Sequence, residues 1–132
     1  MKKIIILVIL IVVALFVMGT DLVVDRVQNW VIKNEKNSSA ARIQYSMAGF
    51  LYMVAQRQAK AVDLYHTAFR LFPGYPDEPY AHNRVGLYYE SKKDYPKATE
   101  EFQIIIKKWP DMAEKLALTQ RIERFRAYQG GI

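Results

Sequence analysis

The chain has 132 residues, 52% of them hydrophobic, with a net charge of +6 and no cysteine. That length holds one small domain plus an extension, and the missing cysteine excludes disulfides, thiolate metal sites, a cysteine nucleophile and a lipid-modified cysteine anchor. The charge excess is modest; it fits solvated helix faces, with attraction to an acidic partner or to anionic headgroups as the sharper reading.

The hydrophobic content is uneven. Met1-Lys2-Lys3 precedes an apolar run from Ile4 to Gly19, and Asp21 follows it. The charge bias predicts a cytoplasmic N-terminus with the rest of the chain outside. Sixteen residues of helix reach about 24 Å, short of a hydrocarbon core of about 30 Å. Leu22, Val23 and Val24 extend the apolar stretch, and the lysines can snorkel at the other end. The expectation is a transmembrane signal anchor over residues 1–24. The alternative is a secretory signal cleaved near Gly19, which would release a soluble periplasmic binding protein. Met18-Gly19-Thr20 is a poor match to a small-x-small cleavage site, so the anchor is preferred.

Val23, Val27, Trp30 and Val31 recur at helical spacing, which predicts an amphipathic stalk continuing from the anchor. Residues 34–39, Asn-Glu-Lys-Asn-Ser-Ser, break the pattern, so 25–39 is read as stalk and linker. Ser38 or Ser39 is placed to cap the next helix.

From Arg42 to Pro110 one pattern occurs twice. The first copy has Tyr45, Ala48-Gly49, Tyr52, Ala61, Tyr65, Ala68 and Pro73; the second has His82, Val85-Gly86, Tyr89, Ala98, Phe102, Ile105 and Pro110. Each equivalent pair lies 37 residues apart. In a helix pair, glycine and alanine allow the partner helix to approach, and the aromatic residues fill the space between them. Proline stops the second helix, because it lacks an N–H and disfavours helical geometry in the residue before it. The pattern resembles the tetratricopeptide repeat, a helix–turn–helix unit of about 34 residues. The units would be 42–75 and 79–112, with Pro76-Asp77-Glu78 inserted between them. The usual Gly-Asp-Tyr turn is Gln56-Arg57-Gln58 in the first copy and Lys93-Asp94-Tyr95 in the second, where Asp94 is a ready N-cap. Helices are expected at about 40–55, 59–72, 79–91 and 95–109, then a single capping helix at about 112–128, capped by Asp111 and closed by Gly130. The expected fold is therefore all-α: a transmembrane helix, two tetratricopeptide repeats in a domain spanning 40–132, and a C-terminal cap at 113–128.

Two repeats and a cap are few, since such units bury their faces only against neighbours. The stalk around Val27–Ile32, or another protein, must cover the open side of the first repeat. The resemblance implies binding through the first helix of each pair. Those positions include Ile43, Ser46, Met47, Phe50 and Met53, then Tyr80, Asn83, Arg84, Leu87 and Glu90. Ser46, Phe50, Met53, Tyr80, Asn83, Arg84 and Leu87 are the partner-binding candidates, a set suited to an amphipathic helix or extended peptide. Ser46 and Phe50 stand where a carboxylate clamp would need polar cations, so that clamp is not expected.

No catalytic residue, metal site, cofactor, small-molecule substrate or nucleic-acid interface is expected. His66 and His82 are the only histidines, and each is read as structural. The second copy is similar in style to repeats of bacterial envelope proteins. The expected protein is a non-enzymatic interaction module, an accessory or scaffold subunit of a larger membrane or envelope complex. It would sit in a bacterial inner membrane with its repeats on the periplasmic side.

Overall fold

In a computed structural model residues 1–130 are described, and among them the chain is all α-helical. It divides into two compact units, residues 1–72 and residues from Pro73 onward.

Unit one opens with α1, Lys2–Met18, and α2, Asp21–Lys33. Between them the axis bends by 60°. Gly19 keeps near-helical dihedrals, but Thr20 is extended. Its hydroxyl does not cap α2; it donates back to the Val17 carbonyl at 2.6 Å. The expected straight run from anchor into stalk is therefore interrupted. Val24 turns inward and is buried in unit one, so it does not lengthen an apolar span. Among the described residues no single helix is long and apolar enough to cross a membrane, although α1 and α2 qualify together as a bent pair.

The rest of unit one is a hairpin of α3, Ala40–Met53, and α4, Gln58–Leu71. On α4 the buried Ala61, Tyr65 and Ala68 recur at i, i+4 and i+7, which is one face of a helix. Helix α2 packs on α3 and turns Val24 and Val31 inward. Gln28 and Gln44 exchange hydrogen bonds at 2.7 and 2.9 Å across that contact. The Gln44 amide also donates to the Leu64 carbonyl at 2.8 Å, so one buried amide ties α2, α3 and α4 together. Helix α2 thus packs on α3 through Val24 and Val31, while Trp30 and Ile32 of the stretch expected to cover it stay exposed.

Unit two is the hairpin of α5, Glu78–Ser91, and α6, Tyr95–Lys108, followed by α7, Pro110–Lys115, and α8, Leu118–Gln129. All four hairpin helices in the two units are 14 residues long. The turns repeat as well. Gln56 and Lys93, equivalent at the 37-residue offset, both take a left-handed conformation, with φ of 52° and 59°. The residues ending the second helices, Phe72 and Trp109, have φ/ψ of −131°/57° and −136°/66°, each just before its proline. Asp94 caps α6 by accepting from the Lys97 amide at 3.3 Å, as its position predicts.

The single expected cap helix is two helices. Asp111 is not the N-cap; Trp109 holds that place and Pro110 is the first helical residue. Ala117 then breaks the run with a φ of 51°. The cause is register. Ala113 and Leu118 both belong to the core with Ala98, Phe102, Ile105, Ile122 and Phe125. Five positions of unbroken helix would place them about 140° apart. The break restores phase, and Leu118, Ile122 and Phe125 then share one face. The Phe125 ring lies 6.1 Å from Phe102 and 5.0 Å from Tyr95, near parallel to both. Gly86 permits close helix approach: a Cβ there would fall within 2.8 Å of Phe102 Cδ1 and Cζ.

Candidate functional site

The expected partner-binding residues fall in two groups. In unit one, Ser46, Phe50 and Met53 follow one another at helical spacing along α3, with Ser46 and Met53 exposed and Phe50 half-buried. Met47, in the wider set, is buried and belongs to the interior. In unit two, Tyr80, Asn83, Arg84 and Leu87 lie along α5. Tyr80 is 60% exposed and the other three are half-buried. Leu87 packs against the α6–α8 core, so much of its surface is already committed. The Asn83 side-chain oxygen is shielded from solvent and has no hydrogen-bond partner.

Among the described residues, most of the exposed large hydrophobic side chains lie on α1. None of its residues is buried, and Ile4 to Val13 are each at least half exposed all the way round the helix. At its C-terminal end the α3–α4 turn packs on the bend. A Cβ on Gly19 would meet the Ala55 Cβ at 3.1 Å, so glycine permits the approach. Arg57 then donates twice at 2.5 Å, from Nη1 to the Gly19 carbonyl and from Nη2 to Asp21 Oδ1. Through that hydrogen bond and its charge, the guanidinium holds the Asp21 carboxyl below its ordinary value. Lys60 lies 3.6 Å from Asp25, one turn further along α2. A cleft of about 530 Å³ opens here, lined by Leu15, Phe16, Val54 and Ala55 with Arg57 and Asp21 at its polar end.

Unit two contains a polar cluster that sequence reasoning missed. His82 Nδ1 is 2.6 Å from Glu101 Oε2, and Nε2 is 3.5 Å from Glu78 Oε1. The other Glu78 oxygen accepts from the Gly74 amide at 2.6 Å. All three side chains are buried, and the Trp109 ring lies 6.2 Å from the imidazole. The cluster joins α5, α6 and the turn at Gly74. Both ring nitrogens face a carboxylate of the cluster itself, so it acts as a clasp. Among the described residues no group of three or more acidic or histidine side chains is arranged to hold a metal ion. The signal for the clasp was present: subtracting 37 from 78, 82 and 101 gives Ala41, Tyr45 and Leu64, so the second copy carries ionisable groups where the first is not charged.

Comparison of the chain with protein-family models, with curated proteins and with solved structures returned no match.

Proposed function

We propose that this chain is a membrane-anchored interaction module of the tetratricopeptide type, a small accessory or scaffold subunit of a larger membrane or envelope complex. The observation that carries the reading is the pairing of α1, a helix with no buried residue, with two hairpins whose turn dihedrals recur at one offset. An apolar helix exposed on all sides is stable in lipid and costly in water. Helical hairpins of repeated geometry carry recognition on the outward face of their first helices. Ser46, Phe50 and Met53 in unit one, and separately Tyr80, Asn83, Arg84 and Leu87 in unit two, are the proposed contacts, each set suited to an amphipathic or extended segment of a partner protein. In this reading α1 enters the bilayer from the side of Lys2 and Lys3, and both hairpins lie on the opposite side of a bacterial inner membrane. The module binds protein; it has no catalytic role and takes no cofactor, small molecule or nucleic acid.

Purification of the full chain in mild detergent through a C-terminal tag tests this. A membrane protein in stoichiometric amount, and a particle mass well above 15.4 kDa, are expected. A stable monomer would overturn the subunit reading, and an N-terminus starting near Thr20 would replace the anchor by a cleaved signal.

A further inference from the structure

We propose that the α3–α4 turn, Met53 to Ala55, is a second lipid contact that seats unit one on the bilayer surface beside the exit of α1. The inference rests on the membrane reading of α1.

The comparison of the two hairpin turns points to it. At the 37-residue offset, Met53-Val54-Ala55 corresponds to Glu90-Ser91-Lys92. The second turn has the composition expected at an exposed loop tip. The first keeps the left-handed position but closes one residue wider, the Arg57 amide donating to Leu51 where the Asp94 amide donates to Tyr89, and its Met53 is 64% and Val54 54% exposed. The wider closure sets the path of the backbone; it does not by itself call for apolar side chains at an exposed loop tip. The surroundings of the first turn account for them: Val54 and Ala55 line one cleft with Leu15 and Phe16 at the end of α1, and Phe16 is 78% exposed. The apolar surface of α1 thus continues onto the turn, and the occupant that suits α1 suits the turn as well.

Length supports the same placement. The fifteen apolar residues of α1, Ile4 to Met18, reach about 22 Å, so about 8 Å of a 30 Å hydrocarbon core remains unmatched. A short apolar helix draws flanking groups toward the interface. The flanking groups here are the apolar turn and a bend two of whose carbonyls accept from side chains. Val17 accepts from the Thr20 hydroxyl and Gly19 accepts from Arg57, which lowers the cost of irregular backbone near the edge of hydrocarbon, while the uncapped first amides of α2 need the water of the headgroup layer. The Arg57–Asp21 pair then marks headgroup level.

The chain has no cysteine, so single-cysteine labelling is clean. The full chain is reconstituted in phosphatidylcholine vesicles carrying an environment-sensitive fluorophore at Leu10→Cys, Val54→Cys or Ser91→Cys, with Met53→Cys as a second probe of the turn. Lipids bearing a nitroxide near the headgroup or deep in the chain serve as quenchers. The expected result is deep quenching at position 10, shallow quenching and blue-shifted emission at 53 and 54, and neither at 91, the equivalent turn of unit two. Quenching at 10 with positions 53 and 54 indistinguishable from 91 overturns the second contact and leaves the anchor standing. Absence of quenching at 10 removes the anchor, and the second contact falls with it.

Discussion

The two hairpins match in helix length and turn dihedrals, yet their interiors are closed by different chemistry. Position 45 of unit one is a buried tyrosine whose ring lies 6.4 Å from Tyr65 and 6.5 Å from Phe69. Its equivalent in unit two, His82, lies between two carboxylates. The buried polar load of unit one is the neutral Gln28–Gln44–Leu64 bridge, which fastens the stalk. That of unit two is ionisable and fastens α5 to α6. Hairpin geometry is therefore specified by small residues such as Ala61 and Ala98, by aromatic fillers such as Tyr65 and Phe102, and by the terminal prolines. The remaining interior positions accept either apolar or hydrogen-bonded polar pairs, and they differ in what removing one partner costs.

The sharpest way to break the comparison is His82→Ala. It leaves Glu78 and Glu101 buried without their shared partner, and each buried polar group left unmatched costs about 1–3 kcal/mol. Urea unfolding of the full chain in detergent, followed by circular dichroism, reads the loss. Copying unit one into unit two, Glu78→Ala and His82→Tyr with Glu101→Leu, is expected to recover most of it. A triple variant as unstable as His82→Ala would show that the two interiors are not interchangeable.

Gly86→Ala is next. The added methyl meets the Phe102 ring, which is fully buried against Phe125 and has nowhere to move. Overpacking of this kind costs about 1–3 kcal/mol. Gly86→Ala with Phe102→Leu should lose less than the sum of the two single changes in the same unfolding assay. Additive losses would mean that the close approach at Gly86 does not depend on the ring.

In unit one the matching probe is Gln44→Leu. It removes the reciprocal pair with Gln28 and leaves the Leu64 carbonyl without this donor, at a cost of about 1–2 kcal/mol. The loss should be local to the stalk, so amide exchange of residues 21–33 should speed up while α5 and α6 stay protected. Uniform exchange across both hairpins would overturn this division of labour.

What the sequence revealed follows the same division. The hairpins were legible because alanine, aromatic and proline positions recur at one offset, and Asp94 was legible because a cap needs only local chemistry. The stalk was legible as an amphipathic helix, but its buried face only in half: the spacing places Val31 on it, whereas Val24, expected in the anchor, is the other buried residue and Trp30 is exposed. The clasp was not, because Glu101 meets His82 only once the hairpin closes; the carboxylate at a core position of α6 was the available clue. The bend at Gly19 was hidden for a similar reason. Neither Gly19 nor Thr20 breaks a helix by itself, and what holds the bend is Arg57, 38 residues away along the chain. Arg57 is the equivalent of Asp94, so the position that caps α6 in unit two is used in unit one to hold α1 and α2. The break at Ala117 follows from the phase conflict between Ala113 and Leu118, which composition alone does not display.

The smallest expected effect separates the two polar devices by their exposure. Arg57 and Asp21 form an open surface clip, and Arg57 holds the Asp21 carboxyl below its ordinary value of 3.8. The folded state therefore binds fewer protons than the unfolded state between the two values. The clip's contribution is fully present above the ordinary value and is lost as pH falls through the folded one. Comparing unfolding midpoints of the natural chain and Asp21→Asn, the gap should hold constant from neutrality to about pH 5 and close below about pH 4. Because both charges face water, raising ionic strength should also narrow it. The loss caused by His82→Ala should respond little to salt, because the clasp is buried. A salt-insensitive clip, or a clasp that salt weakens as much, would remove the distinction between the surface fastening of unit one and the interior fastening of unit two.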